Sequence, residues 1–290
     1  MKRGGTIMKQ AITGMMAAVL ACGAVTRLTA GSSADNVTSN TVAYWPFDKG
    51  SELADASGHG HALDNTGVAF SAEAAVFDAN QSSKLVTSSP LAFSTYTNLT
   101  IECFFNMAGT YFDSGFGFLF TTAAGYGDPG TFNCYQTDKT SVLADFFNTD
   151  REFDQETSQQ RYSLGAGFWH HAALVIDGTK SGQDPDRLQL YIDRVRMRAT
   201  YIDASHARLS DALLYIGTLG TQAGYHFTGQ MDDVRITAAA LSPSEFLQTR
   251  TRTANVVAYW PFNPGDELAD ASGHGHTLSN NQVTFLNGAA

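Results

Sequence analysis

The sequence predicts an all-β fold in which two antiparallel sheets pack as a sandwich. Of the 290 residues, 27 are glycine and 11% are aromatic, which suits many short strands joined by turns. Apolar runs of strand length alternate with turn-forming residues along most of the chain. Only 16% of the residues are charged, so the composition is not that of a disordered chain.

Eleven runs have the length, the apolar character and the flanking turn residues of strands. They are residues 42–47, 75–77, 84–87, 99–107, 116–121, 131–136, 141–147, 171–176, 188–192, 212–216 and 231–236. Asp177-Gly178 and Asp184-Pro185 predict a long hairpin connection between two of them.

One short helix is predicted after the last of these runs. Ser242 is a suitable N-cap, Pro243 fits the first helical position, and Glu245 completes a capping box. The pattern predicts about two turns, ending near residue 249.

The first 34 residues have the features of an export signal. Lys2, Arg3 and Lys9 provide a positive segment, and residues 11–25 form an apolar run. That run is shorter than the roughly 20 residues of a transmembrane span, so no integral membrane span is predicted. We expect cleavage after this segment and a secreted or cell-surface protein. A lipid attached to Cys22 is the alternative to a simple cleaved signal.

Removal of residues 1–34 leaves 14 basic and 28 acidic side chains. This excess of negative charge argues against nucleic acid and anionic membranes as partners. Cys103 and Cys134 then remain in an oxidising compartment. Each lies in a strand-like run, so either a disulfide joins them or both are buried free thiols.

An internal repeat organises the chain, with an offset of 215 residues. Residues 42–47 recur at 257–262, and residues 52–61 recur without change at 267–276. The repeat unit is therefore one whole domain, residues 36–250.

Residues 255–290 are a truncated second copy of this domain. So short a segment has too little apolar surface to fold alone. Because it duplicates the first strand, it can replace its twin in a neighbouring molecule, which would give dimers by strand exchange. The alternatives are a loosely ordered tail and a chain cut short from a longer tandem protein.

Seven motifs follow one another along residues 36–250: YWPFD at 44–48, LADASGHGH at 53–61, LTIECFF at 99–105, WHHAALVIDGT at 169–179, LQLYID at 188–193, LLYIG at 213–217 and FTGQMDDVRITAAALSPSEF at 227–246. This series resembles bacterial laminin G-like domains, which have the concanavalin A-like lectin/glucanase fold. The resemblance implies a jelly-roll sandwich. Asp193-Arg194 departs from the Asp-Gly that the family usually has, which leaves the turn type there open. Such sandwiches include lectins, adhesion modules and glycosidases, so the fold alone does not decide the function.

The resemblance also implies a calcium site where the first strand region meets the last strand. Asp48 and Asp55 lie in the first region beside two glycines, and carboxylate and carbonyl oxygens are the ligands that Ca²⁺ prefers. On the last strand, alternation places Asp232 rather than Asp233 on the inward face. We therefore expect Asp48, Asp55 and Asp232 to hold Ca²⁺. The alternative is that Asp55 and Ser57 only cap an Asx-type turn.

The histidines do not predict a zinc site. His59 and His61 place two imidazoles on one side of the chain, but no third ligand has matching spacing. His170 and His171 are adjacent and point to opposite faces of a strand. We interpret all four as solvated histidines.

A catalytic alternative depends on Glu152, Asp154 and Glu156. Alternate residues of a strand share a face, and this pattern resembles the catalytic strand of laminarinase-type glucanases, whose carboxylates act as nucleophile and acid. The polar flanks are instead typical of an exposed loop or edge hairpin. Glu156 also lies too close to Trp169 for the glucanase order of segments. We expect the segment to be non-catalytic.

Aromatic residues are dense at 111–118 and recur at Tyr126 in a glycine-rich loop. Exposed rings can stack on sugars, although strand alternation sends half of such residues into a core. The sequence as a whole predicts an exported, non-catalytic binding or adhesion module for a glycan or a surface protein, with a structural calcium ion. The alternatives are a secreted glycan-degrading hydrolase and a structural spacer of a larger surface protein.

Overall fold

A computed structural model describes the following residues: 36–71, 74–108, 116–137, 141–147, 153–157, 164, 166–180, 184–202, 209–248, 260, 262, 267–268 and 276–284. For residues 153–157 and 198–202 it describes the backbone alone. The predicted export signal with Cys22, and Glu152 of the catalytic alternative, lie outside the described residues. No helix in the described part of the chain is long and apolar enough to cross a membrane.

Sixteen strands account for nearly all regular structure in the described residues. They are β1 (Thr41–Trp45), β2 (Leu63–Thr66), β3 (Ala69–Phe70), β4 (Ala75–Phe77), β5 (Lys84–Thr87), β6 (Asn98–Met107), β7 (Gly117–Thr121), β8 (Thr131–Gln136), β9 (Val142–Phe147), β10 (Phe153–Thr157), β11 (Trp169–Asp177), β12 (Leu188–Ile192), β13 (Val195–Arg196), β14 (Arg198–Ile202), β15 (Tyr215–Ile216) and β16 (Gly229–Thr237). Single turns of 3-10 helix lie at Ala79–Gln81 and Phe93–Thr95. Each of the eleven predicted runs coincides with or overlaps one of these strands.

The strands form two eight-stranded antiparallel sheets. In sheet A the order is β13-β12-β11-β6-β16-β4-β3, and β1 also pairs with β16. In sheet B the order is β14-β10-β9-β8-β7-β15-β5-β2. Strands that are far apart in sequence, such as β6 and β16, are neighbours, as in a jelly roll. The predicted two-sheet sandwich is confirmed.

The core lies between the two sheets and follows from strand alternation. Every second side chain of β6 is buried there, including Ile101, Cys103 and Phe105, and β8 contributes Phe132 and Cys134. Burial of one such apolar side chain contributes about 1.5–3 kcal/mol relative to leaving it exposed. The intervening residues of each strand lie on the two outer faces of the sandwich, where the functional candidates are found.

The segment that carries Asp154 and Glu156 is a strand and not an exposed loop. β10 pairs with β9 on one side and with β14 on the other, so it does not lie at the edge of sheet B. The expected loop or edge hairpin is therefore wrong. Only Phe153 and Thr157 of this strand have high β propensity, so pairing on both sides accounts for the strand better than intrinsic preference does.

The hairpin between β12 and β13 keeps its geometry despite lacking a glycine. Asp193 and Arg194 both have positive φ angles, +49° and +64°, as a type I′ turn requires. The guanidinium of Arg194 donates to the carbonyls of Leu247 and Gln248, and a carboxylate oxygen of Asp193 accepts from the backbone N–H of His171 at 2.9 Å. These side-chain contacts offset the cost of the left-handed conformation.

The segment after β16 is a turn that packs on sheet A and not the predicted helix. Half of the capping box forms, because the N–H and hydroxyl of Ser242 donate to Oε2 of Glu245 at 2.8 and 2.7 Å. The N–H of Glu245 donates instead to the carbonyl of Ser242 at 2.9 Å. Helical bonds do not continue, since side chains of the sheet take the next backbone groups. Leu247 N donates to Glu102 at 2.8 Å, and Glu245 O accepts from Arg235 at 2.9 Å. The predicted two-turn helix is wrong for residues 242–248.

Glu102 is the centre of a buried polar cluster on the outer face of sheet A. Its Oε1 accepts from Nε of Arg235 at 2.8 Å, and its Oε2 lies 2.9 Å from Nε2 of His171. Burial alone would raise the pKa of Glu102, but the hydrogen bond with His171 and the charge of Arg235 outweigh it and hold the pKa below its usual value. His171 is buried here, so its interpretation as a solvated histidine is wrong.

The described residues of the second copy repeat the local geometry of the first. Phe47 and Phe262 both have a φ of +54°. Three hydrogen bonds of the first copy have a counterpart in the second. Trp45 Nε1 donates to His61 O at 2.8 Å, as Trp260 Nε1 does to His276 O at 2.5 Å. The other two are Leu63 N to Leu53 O (3.1 Å), matched by Leu278 N to Leu268 O (2.9 Å), and Val68 N to Asn65 Oδ1 (2.9 Å), matched by Val283 N to Asn280 Oδ1 (2.9 Å). Local sequence therefore sets this arch. Strand exchange through residues 255–290 stays a prediction.

We expect Arg235→Met to lower the free energy of unfolding by about 3–5 kcal/mol, because it leaves the Glu102 carboxylate buried without its cation. Thermal unfolding at pH 7 should show a fall in Tm of roughly 10 °C. Lys49→Met is the control, since it removes a positive charge from an exposed side chain and should cost about 1 kcal/mol or less. Equal losses in the two variants would contradict the role given to Glu102.

Candidate functional site

Asp55, the first predicted calcium ligand, caps the loop that follows β1. Its Oδ1 accepts from the backbone N–H groups of Tyr44 at 3.0 Å and Ser57 at 2.9 Å. Its Oδ2 accepts from the N–H of His61 at 3.0 Å and from the hydroxyl of Ser57 at 2.8 Å. Burial would raise the pKa of Asp55, but these hydrogen bonds together hold it below its usual value. The carboxylate thus fastens the loop to β1, as in the Asx-turn alternative.

Asp232 does not lie on the inward face of β16 as alternation predicts. The register pairs Asp232 with Phe104 on the outer face of sheet A, and then shifts before Arg235. The irregularity is centred on Asp233, whose φ of +51° is that of a bulge residue. One extra residue reverses which side chains face the core. Asp232 is therefore separated from Val234, with which it was expected to share a face.

The three predicted calcium ligands are not gathered into one site by the described residues. The carbonyl of Asp48 accepts from Ser51 N at 3.0 Å, which closes a local turn. Asp232 and Asp233 are both fully buried, and the hydroxyl of Tyr44 donates to Asp233. No group of three or more His, Cys, Asp or Glu side chains that could hold a metal ion occurs among the described residues. The fit to calcium is poor, and calcium binding stays a prediction.

Both cysteines are buried free thiols in the structure, so the disulfide alternative is absent from it. Cys103 lies in β6 of sheet A and Cys134 in β8 of sheet B. Facing sheets are about 10 Å apart, whereas a disulfide needs Cα atoms within about 7 Å. Burial raises the pKa of both thiols, which makes them poor nucleophiles.

The remaining histidines do not converge on a metal site. The rings of His59 and His61 are 6.5 Å apart, and Nδ1 of His59 lies 3.1 Å from the hydroxyl of Ser57. Nδ1 of His170 lies 2.8 Å from Oδ2 of Asp193. The imidazole of His59 is thus bonded within its own loop, whereas that of His170, in β11, contacts the turn between β12 and β13.

A row of polar residues crosses the outer face of sheet B. Thr121 of β7, Asn133 of β8 and Asp145 of β9 are directly opposite one another, and the backbone register continues to Gln155 of β10. The hydroxyl of Thr121 donates to Asn133 Oδ1 at 2.5 Å, and Asn133 Nδ2 donates to Asp145 Oδ1 at 2.7 Å. All three side chains are buried. A carboxylate is thereby held in the middle of the sheet.

Two tyrosine hydroxyls converge on the other oxygen of this carboxylate. Tyr135 donates to Asp145 Oδ2 at 2.8 Å and Tyr126 donates to it at 3.1 Å. Burial, and then the negative charge of Asp145, raise the pKa of both tyrosines. They therefore remain protonated hydrogen-bond donors. Asp145 orients both rings, although Tyr126 is 51% exposed.

These tyrosines belong to an aromatic patch, which comprises Phe116, Phe118, Tyr126, Tyr135 and Tyr225. Tyr126 is connected to the other rings through the carboxylate that it shares with Tyr135. Phe118 stacks on Tyr135 with ring centroids 4.7 Å apart, and Phe116 stacks on Tyr225 at 6.4 Å. Phe118 and Tyr135 are buried, whereas Phe116 is 38% exposed. The predicted sugar platform at 111–118 and Tyr126 is described only in part, since residues 111–115 lie outside the described residues.

Two loops meet beside the aromatic patch. A Cβ atom at Gly220 would lie 2.6 Å from the carbonyl oxygen of Ala123 and 2.3 Å from that of Ala124, so only glycine allows this approach. The N–H of Gly125 donates to Asp128 Oδ2 at 2.7 Å, which closes the turn around Tyr126. The exposed ring is therefore carried by a loop with a defined shape.

Asp145 is the residue of this site that the sequence reasoning missed. It lies within an otherwise apolar run, which by itself predicts only a strand. The sequence feature that points to it is a charged residue at a strand position that faces away from the core. Polar residues, Asn133 and Thr121, occur in the two strand-like runs before it. Their alignment depends on strand register, which no local pattern in the sequence shows.

A laminin G-like family profile, described as the concanavalin A-like lectin/glucanases superfamily, matches residues 78–246. No curated protein matches the sequence of this chain. Solved structures similar to it include three binding domains. The first is the binding domain of botulinum neurotoxin serotype D, with a TM-score of 0.54 and 11% identity over 71% of this chain and 50% of that chain. The second is the botulinum neurotoxin serotype D ligand binding domain in complex with N-acetylneuraminic acid, with a TM-score of 0.54 and 13% identity over 74% of this chain and 51% of that chain. The third is the binding domain of Paraclostridial Mosquitocidal Protein 1, with a TM-score of 0.54 and 14% identity over 71% of this chain and 50% of that chain. The chain thus spans about half the length of these structures, and at such identities the likeness shows the fold.

We expect Asp55→Ala to lower the free energy of unfolding by about 2–4 kcal/mol, because it removes a carboxylate that accepts four hydrogen bonds. The loss should be the same in EDTA and in millimolar calcium. Asp186→Ala is the control and should change Tm little, because the carboxylate of Asp186 is exposed. If calcium raises the Tm of the unaltered chain and this rise disappears in Asp55→Ala, then Asp55 is a calcium ligand and not only a turn cap.

Proposed function

We propose that this chain, which belongs to the concanavalin A-like lectin/glucanase superfamily, is a non-catalytic binding module whose ligand is a glycan. The aromatic patch on sheet B carries the proposal. Sugars have C–H faces that pack on aromatic rings and hydroxyls that bond to polar groups, and the patch combines exposed rings with hydroxyls. The solved relatives described above are binding domains as well, which supports the general class.

The patch is suited to binding because its rings are fixed before a ligand arrives. Tyr126 is held by its bond to Asp145 and by the ring of Phe147, whose centroid lies 5.4 Å away. Phe116 is held between Tyr135 and Tyr225. Side chains that are already ordered lose little conformational entropy on binding. Two exposed rings on ordered supports thus form the surface that a sugar would cover.

Charge favours a neutral glycan over an anionic one. The chain without residues 1–34 has 28 acidic and 14 basic side chains. Asp145 also accepts a hydrogen bond from the hydroxyl of the exposed Tyr126. Carboxylated or sulfated sugars would be repelled by this field. We propose further that the protein is exported, since its first 34 residues combine a positive segment with a short apolar run.

We expect Tyr126→Ala to weaken glycan binding at least about tenfold, because it removes the most exposed ring of the patch. The measurement is a screen of neutral oligosaccharides, followed by titration calorimetry on those that bind. Tyr126→Phe should retain most of the affinity, since the ring remains. Phe168→Ala is the control, because Phe168 is 67% exposed but lies outside the patch. Equal binding by Tyr126→Ala and the unaltered chain would refute this surface as the site.

We expect no release of reducing sugar from any β-glucan by the unaltered chain, and no change of any activity in Glu152→Gln or Glu156→Gln. The same oligosaccharides and polysaccharides, incubated and assayed for new reducing ends, provide the test. If the unaltered chain hydrolyses a glycan and Glu152→Gln abolishes this activity, the protein is a glycan-degrading hydrolase and not a non-catalytic binding module.

A further inference from the structure

A concave surface distinct from the aromatic patch lies in sheet A, where β4, β6 and β16 come together. It is a groove of about 570 Å³, within the range of small-ligand sites. Its lining includes the turn at 78–80 together with Asn106, Gly167, Thr228 and Gln230. The aromatic patch belongs to sheet B, so the two surfaces share no residue.

The floor of the groove presents two amide side chains on neighbouring strands. Asn106 of β6 and Gln230 of β16 are directly opposite each other, and Val76 of β4 is opposite Gln230. Both amides are half-buried. Within the described part of the chain neither side chain has a hydrogen-bond partner. Each therefore retains two N–H donors and a carbonyl acceptor for a ligand.

The walls of the groove are held in place without these amides. Asp78 Oδ1 accepts from the N–H of Asn80 at 2.9 Å and from its side-chain amide at 3.1 Å. Thr228 Oγ1 accepts from the N–H of Ala79 at 3.1 Å, which ties the turn to the start of β16. A Cβ atom at Gly229 would lie 2.2 Å from the carbonyl oxygen of Asn106, so glycine is required there. The groove is thus formed in advance of any ligand.

The chemistry of the lining selects a neutral, hydroxylated ligand. Among the lining residues that the structure describes, Asp78 is the one ionisable side chain, and its carboxylate is engaged by Asn80. The other polar groups both donate and accept, as sugar hydroxyls do. Trp169 of β11 is opposite Asn106 in the register, so an aromatic residue lies on the strand next to the floor of the groove. We propose that this groove binds a neutral saccharide, independently of the aromatic patch.

The test follows the side-chain amide signals of a ¹⁵N-labelled chain during titration with neutral gluco-, manno-, galacto- and arabino-oligosaccharides. The amide signals of Asn106 and Gln230 and the backbone signal of Gly229 should shift and saturate with at least one of them. Gln230→Leu and Asn106→Leu should each weaken this response at least about fivefold, because each removes hydrogen bonds made to the ligand and none made within the chain. Gln81→Leu, the same change at an exposed amide outside the lining, should leave it intact.

The two proposed sites fail separately in this experiment. Saturating shifts at Asn106 and Gln230 that persist in Tyr126→Ala support the groove. Shifts confined to the aromatic patch, and abolished by Tyr126→Ala, overturn the groove and leave the proposed function standing. Shifts at the groove that survive in both leucine variants overturn the role of the amides. Absence of any shift with all four classes of oligosaccharide overturns the groove and the patch together.

Discussion

The buried ion pair between Glu102 and Arg235 is the contact on which the outer layer of sheet A depends. Each partner alone would be a buried charge costing several kcal/mol, so the two strands that carry them must come together. Arg235 also donates to the carbonyl of Asn36 at 2.9 Å, while Glu102 accepts from the N–H of Leu247. The beginning and the end of the domain thus meet at one pair of charges. The C-terminal segment takes its shape from this pair and not from its own helix signals.

Glu102 and Asp145 show how two buried carboxylates can have different roles in one sandwich. Glu102 faces a cation and an imidazole inside a closed layer, so its charge is balanced and its role is to hold strands together. Asp145 is held by hydroxyl and amide donors of Tyr126, Tyr135 and Asn133. Its negative charge therefore extends towards a surface on which rings are exposed. The first arrangement stabilises the fold, and the second orients a surface that can bind.

Strand positions could be predicted from the sequence because apolar alternation and turn residues act locally. The exceptions depend on contacts between distant residues. The face of Asp232 was predicted wrongly because Asp233 adopts a left-handed bulge, which no alternation rule shows. The helix after Ser242 was predicted wrongly because Glu102, far away in sequence, takes the N–H of Leu247. The polar row that ends at Asp145 appears only once three strands are in register. The calcium prediction used correct residue chemistry but assumed a proximity that only the fold can provide.

The pairing of the first strand with the last has a consequence for how the chain folds. The arch after β1 closes through contacts only 10 to 16 residues apart, such as that from Trp45 to His61, so it can form early during synthesis. Its sheet partner lies far along the chain, since Tyr44 must wait for Asp233, 189 residues later. Folding is therefore expected to be slow and to leave an apolar strand uncovered for most of translation. This chain contains two copies of the arch, with identical residues at 42–47 and 257–262. Until β1 has paired with β16, these two segments therefore compete for the same position in sheet A.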